Sequence, residues 1–109
     1  PTVITPAETL YAATRAGALS QRRPDCGFLK EGFKADLIAV DVDRLYMKPV
    51  HNLLNNLIYS ACGSDVCLTM VDGRVLYDHG VFPTLDLEKL IFETEKSCAR
   101  IKAALRAND

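Results

Sequence analysis

The 109-residue chain lacks what several large function classes require. It contains no apolar run near the ~18 residues that cross a bilayer, so a membrane is not an expected partner. It has no surplus of charge: 13 Lys and Arg stand against 14 Asp and Glu, for a formal net charge of -1. Without a basic field, nucleic acid is not an expected partner either. Histidine is scarce. His51 and His79 cannot build a histidine-rich hydrolytic metal centre, which gathers several imidazoles and a carboxylate around one ion. Both read as polar surface residues. The cysteines, Cys26, Cys62, Cys67 and Cys98, include no C-x-x-C pair and read as free thiols in a reducing, cytoplasmic setting. No Gly-x-Ser-x-Gly or Cys-His signature marks a nucleophile, and Ser64 reads as a turn residue. Signal peptide, repeats and low-complexity tracts are also missing. Pro1, in place of a methionine, suggests a piece of something longer.

What remains is ordinary globular material, 49% hydrophobic and 25% charged, with length enough for one small core. Thr5-Pro6-Ala7-Glu8 is a helix start: Thr5 and Glu8 can cap each other, and Pro6 sits where no N–H is needed. The helix should run to about Ser20, with Gly17 marking close approach to another element. Residues 21–34 read as a loop. Asp36 to Val42 is apolar on both faces in its middle, which predicts a central strand buried on both sides. Lys48-Pro49 and the spacing of Leu53, Leu54, Leu57 and Ile58 predict an extended loop and then a short helix.

Asp72-Gly73 between two β-rich runs predicts a two-residue type I′ turn. Val71 should then face Arg74, and Met70 should face Val75. Val66, Leu68, Met70, Val75 and Tyr77 would share one apolar face. From Leu87 onward, Leu87, Leu90, Ile91, Cys98, Ile101 and Leu105 form a helical stripe, predicting a surface helix packed by one face.

Few residues invite chemistry. Asp41 and Asp43 lie on one side of a strand end and could hold a cation, but acids at such ends are mostly solvated boundaries. Gly27 and Gly32 have the wrong spacing for a phosphate loop, and no helix comes directly after them. No catalytic, cofactor-binding or metal-binding residue is assigned within the chain.

The order of three motifs is informative. Thr14-Arg15-Ala16-Gly17-Ala18, then Cys26-Gly27-Phe28-Leu29-Lys30-Glu31-Gly32-Phe33-Lys34-Ala35-Asp36-Leu37-Ile38, then Asp65-Val66 through Val71-Asp72-Gly73-Arg74-Val75 resemble the C-terminal end of metal-dependent amidohydrolases. That pattern is T-x-x-G-A, I-G-S-L-x-x-G-K-x-A-D-L and V-D-G-R. Phe28 and Phe33 depart from it. The segment from His51 to Ala61 is similar to the branch holding chlorohydrolases, cytosine-deaminase-like enzymes and adenosylhomocysteine or methylthioadenosine deaminases.

The resemblance implies a (β/α)8 barrel with a divalent metal, zinc or iron, in a parent protein, and a small β-sandwich shared by its two chain ends. For this chain it implies an α+β fold. Residues 1–22 would be the last barrel helix, 23–83 the C-terminal share of the sandwich as a small antiparallel sheet, and 84–109 an amphipathic helix, all in one compact unit. The chain would be an inactive C-terminal fragment of a hydrolase acting on a nitrogen heterocycle. Its partners would be the missing barrel and N-terminal strands. The alternative is a stand-alone structural module without activity, self-associating through exposed strand edges.

Overall fold

The computed structural model describes residues 3–107. The first helical rod, α1, runs over residues 6–20 in three stretches: α-helical Pro6–Tyr11, π-helical Ala12–Ala16 and α-helical Gly17–Ser20. Its start has the expected capping box. The Thr5 N–H donates to Glu8 Oε2 at 2.8 Å, and the Glu8 N–H donates to Thr5 Oγ1 at 3.3 Å. Removing this cap by Thr5→Ala is expected to cost about 1 kcal/mol, read as a lower urea midpoint at unchanged slope.

Gly17 does not touch another element. Its N–H closes the π turn onto the Ala12 carbonyl, and a Cβ on it would meet that same oxygen at 3.3 Å. The helix's own widened turn, rather than a neighbour, crowds this position. Beyond Ser20 the chain reverses with Arg22 in the left-handed region, its N–H bonded to Leu19 O and that of Arg23 to Ala18 O. That pair of bonds satisfies the last helical carbonyls.

Strands β1 (Leu37–Val40), β2 (Val66–Val71) and β3 (Arg74–Asp78) form an antiparallel sheet in the order β1-β2-β3. The α+β fold expected from the sequence is therefore present, with its small antiparallel sheet. Asp72 and Gly73 both take positive φ, as the I′ turn requires, and Val71 pairs with Arg74 and Met70 with Val75.

Two expectations about the sheet fail. β1 is an edge strand rather than a central one, and Ile38 is exposed. Among the described residues no second strand or covering layer buries its apolar side chains. The face assignment also changes, because a bulge between Thr69 and Met70 sets Tyr77 opposite Thr69, and a second, between Ala39 and Val40, sets Val66 opposite Val40. Each extra residue flips the remainder of the strand to the other face. Val66 and Tyr77 thus leave the face of Leu68, Met70 and Val75.

Between β1 and β2 lie a 3-10 turn, Leu45–Met47, and the helix α2 (Leu53–Tyr59), which packs against the first part of α1. Asn52 caps α2 by accepting from the Asn55 N–H at 3.1 Å. After a second 3-10 turn, Gly63–Asp65, the chain enters the hairpin, and from there it reaches α3 (Leu87–Arg106). α3 was expected to pack by one face, yet each of its residues is exposed.

The expectation of one compact unit with a single core is not met. Among the described residues only Cys26 and Met47 are buried apolar side chains. The radius of gyration is 19.6 Å, against about 13 Å for a compact chain of this length. Apolar stripes are abundant, but their complements are not among the described residues.

Candidate functional site

Two polar nodes organise the structure. The first joins α1 to the sheet. Arg15 reaches from the π stretch to the loop, where Nη1 donates to Pro24 O at 2.8 Å and Cys26 O at 2.6 Å. Its guanidinium lies 5.2 Å from the ring centre of Phe28 and 5.4 Å from that of Phe33. The two aromatics that depart from the family pattern thus bracket one cation. Gly27 passes directly against the helix, with φ +87°, and a Cβ there would lie 2.7 Å from Arg15 Cα.

Asp36 completes this node at the start of β1. It accepts from Arg23 Nη2 at 2.7 Å and from the Asp72 N–H at 2.7 Å, so it ties the loop to the hairpin turn. Those donors, the Asp72 amide foremost, hold its carboxyl below the usual aspartate range. Burial, reinforced by Asp36 and Asp25 beside it, pushes the Cys26 thiol up, which keeps it protonated and unreactive.

The second node centres on Asp65, 1% exposed. Its carboxylate accepts from the Tyr46 hydroxyl in a short contact, from the Cys62 N–H at 2.8 Å and weakly from the Cys62 thiol at 3.4 Å. Arg44 Nε stands 3.6 Å away. The Tyr46 hydroxyl, then the Cys62 amide, lower the Asp65 carboxyl below its ordinary value, and the same bond raises the Tyr46 phenol. The Asp65 carbonyl also accepts from the Asp41 N–H at 2.8 Å. This node fixes how residues 41–65 return the chain to β2.

The residues singled out in the sequence do not converge. Asp41 and Asp43 are each matched by a cation, Arg44 at 3.2 Å and Lys48 at 3.0 Å, and the Asp43 N–H bonds back to Asp41 Oδ1. His51 lies exposed in a loop, and His79 pairs with its neighbour Asp78 at the end of the hairpin. Ser64 sits in the 3-10 turn beside the Cys62 thiol at 3.0 Å. Cys26, Cys62, Cys67 and Cys98 are all free thiols, with only Cys26 buried. Among the described residues no group of three or more His, Cys, Asp and Glu side chains could hold a metal ion. No helix among them is long and apolar enough to cross a membrane.

An apolar recess of about 490 Å³ opens on the sheet face that carries Val66, Thr69 and Tyr77, walled by Phe82 and Leu85 beyond the strand ends. Tyr77 and Phe82 meet there with ring centres 5.0 Å apart. It offers area for packing but few polar groups to orient a small molecule. The residues that organise the two nodes are Arg15 and Asp65, which stand within the sequence motifs but were given no role of their own there. Their signals were the basic residue inside the T-x-x-G-A motif and an acid directly before an apolar strand.

Residues 1–76 match the amidohydrolase family. The chain is 43% identical over 88% of its length to a 5-methylthioadenosine/S-adenosylhomocysteine deaminase of Dictyoglomus thermophilum, and 36% identical over 98% to a 5'-deoxyadenosine deaminase of Methanosarcina mazei. It spans only 22% and 24% of those proteins. Among solved structures, a zinc-bound adenosine deaminase from Xanthomonas campestris superposes with a TM-score of 0.82 at 30% identity, over 91% of this chain and 23% of that one. A zinc-complexed atrazine chlorohydrolase from Arthrobacter aurescens gives 0.75 at 32% identity, over 84% of this chain and 20% of the other. Family match, sequence identity and superposition agree, and the chain belongs to the amidohydrolase family.

Proposed function

We propose that this chain is the C-terminal part of a cytoplasmic, zinc-dependent deaminase acting on the adenine ring of a nucleoside such as 5-methylthioadenosine or S-adenosylhomocysteine. The observation that carries the reading is the 43% identity to the Dictyoglomus deaminase across 88% of the chain. Zinc is favoured over iron by the zinc bound in the two superposed structures. Hydrolysis of an atrazine-like chloride is the second reading, favoured only by the chlorohydrolase superposition.

The chain's own residues do not fit a metal site. Its two histidines sit apart and exposed, and one is taken up by Asp78. No catalytic step is therefore assigned to them. The part played here is structural. α1 packs as a barrel helix, the Arg15–Gly27 contact turns the chain out of it, and the sheet receives further strands of the same protein along the open edge of β1. The barrel and those strands are the partners we propose.

Complementation tests this. The Dictyoglomus deaminase is expressed without the segment that matches this chain, and the chain is supplied beside it. Deamination of 5-methylthioadenosine, monitored by ultraviolet absorbance, should rise at least about a hundredfold over either piece alone. A chelator should abolish it and zinc should restore it. A co-purifying complex that turns nothing over would sink the proposal and favour a module without enzymatic activity.

A further inference from the structure

α3 carries an apolar seam that nothing among the described residues covers. Leu87, Ile91, Thr94, Cys98, Ile101 and Leu105 succeed one another at alternating steps of four and three residues, the spacing of a coiled-coil seam rather than of a broad globular face. All are solvent-exposed, Ile91 at 58% and Leu105 at 63%. Twenty residues of helix make a rod of about 30 Å.

Charge along α3 is divided. The first half holds Glu88, Glu93 and Glu95 with Lys89 and Lys96, whereas the second holds Arg100, Lys102 and Arg106 and no acid. Such a helix is complementary to itself when turned end for end. Glu88, Glu95 and Lys102 lie one heptad apart along one flank of the seam. Leu90, Ser97 and Ala104 lie along the other.

We propose that α3 pairs antiparallel with α3 of a second copy of this chain. In that pairing Leu87 packs opposite Leu105, Ile91 opposite Ile101 and Thr94 opposite Cys98, and the two-fold axis repeats each layer. Like flanks then meet, so Glu88 of each copy faces Lys102 of the other, two attractive pairs that outnumber the single Glu95–Glu95 contact at the two-fold axis. Parallel pairing would instead set the charged flank against Leu90, Ser97 and Ala104, with no ion pair gained. The small Thr94 and Cys98 layers at the centre keep the association modest. The proposal rests on α3 alone and stands or falls separately from the deaminase reading.

Sedimentation equilibrium across the micromolar to millimolar range provides the test. The chain should dimerise, and Glu88→Lys or Lys102→Glu should each raise the dissociation constant on the order of tenfold, since two attractive pairs become repulsive. An equimolar mixture of the two variants should associate as tightly as the parent chain, because positions 88 and 102 again face each other with opposite sign and the Glu95–Glu95 pair at the axis is the same in both. Ile91→Asp should abolish the dimer while far-UV helicity persists. Three results would each overturn the proposal: a monomer throughout, an association that neither charge reversal weakens, or a mixture no tighter than its components. The second of these would place the contact at the strand edge instead.

Discussion

Replacing Gly27 with alanine is expected to destabilise the fold by about 3 kcal/mol or more, through two costs that add. The residue sits at φ +87°, where a side chain is strained, and a Cβ would lie 2.7 Å from Arg15 Cα, 3.0 Å from Arg15 N and 3.0 Å from Thr14 O. All three neighbours are backbone, so no rotamer change relieves the contact. Gly32 provides the control. It has a similar φ of +82° but nothing within 4 Å of its absent Cβ, so Gly32→Ala should cost only about 1 kcal/mol. Asparagine at each position sharpens the contrast, because it tolerates positive φ but still carries a Cβ. Gly32→Asn should be nearly silent and Gly27→Asn severe. Urea denaturation monitored by circular dichroism reads the difference, and equal costs at the two glycines would show that conformation rather than close approach dominates.

Truncating Asp65 to alanine should lower the melting midpoint by about 10 °C or more, the second large effect. The buried carboxylate is the acceptor for the Tyr46 hydroxyl and the Cys62 N–H. Without it both charge-assisted bonds are lost together and a void opens where the 1%-exposed carboxylate stood. The same carboxylate predicts an acid limb. Its folded-state pKa lies below the ordinary value of 3.8, so its stabilisation is complete above that value and is lost as pH falls through the lower folded one. Tyr46→Phe removes the largest cause of the depression and should flatten this limb, since the folded and unfolded carboxyls then titrate closer together. Asp65→Asn should abolish its contribution to the limb altogether. An unchanged melting profile between about pH 2 and 5 in both variants would exclude Asp65 as its source, since that window brackets the ordinary aspartate value.

Local chemistry in the chain was readable wherever the responsible residues are neighbours. The capping box at Thr5 and Glu8 and the turn at Asp72 and Gly73 each depend on a few consecutive residues, and both formed as expected. The hairpin register obeyed the turn only as far as Met70 and Val75. Past that pair a bulge reassigned Tyr77, because strand alternation assumes an unbroken ladder and a bulge is set by what the sheet must accommodate. Asp36 looked like a strand boundary and Asp65 like part of a turn. What makes each important is a partner far along the chain, Asp72 for one and Tyr46 for the other.

Sequence alone determined the family, the α+β content, the caps and the turn. Those properties are local or compositional, and neither kind waits on packing. Tertiary structure alone decided that Gly27 rather than Gly17 makes the close backbone approach, that β1 is an edge, and that α3 stands uncovered. An apolar stripe specifies that a face is to be buried, but not by what. Only the three-dimensional arrangement reveals whether the chain itself supplies the cover, and here, for α3 and the edge of β1, the described residues do not.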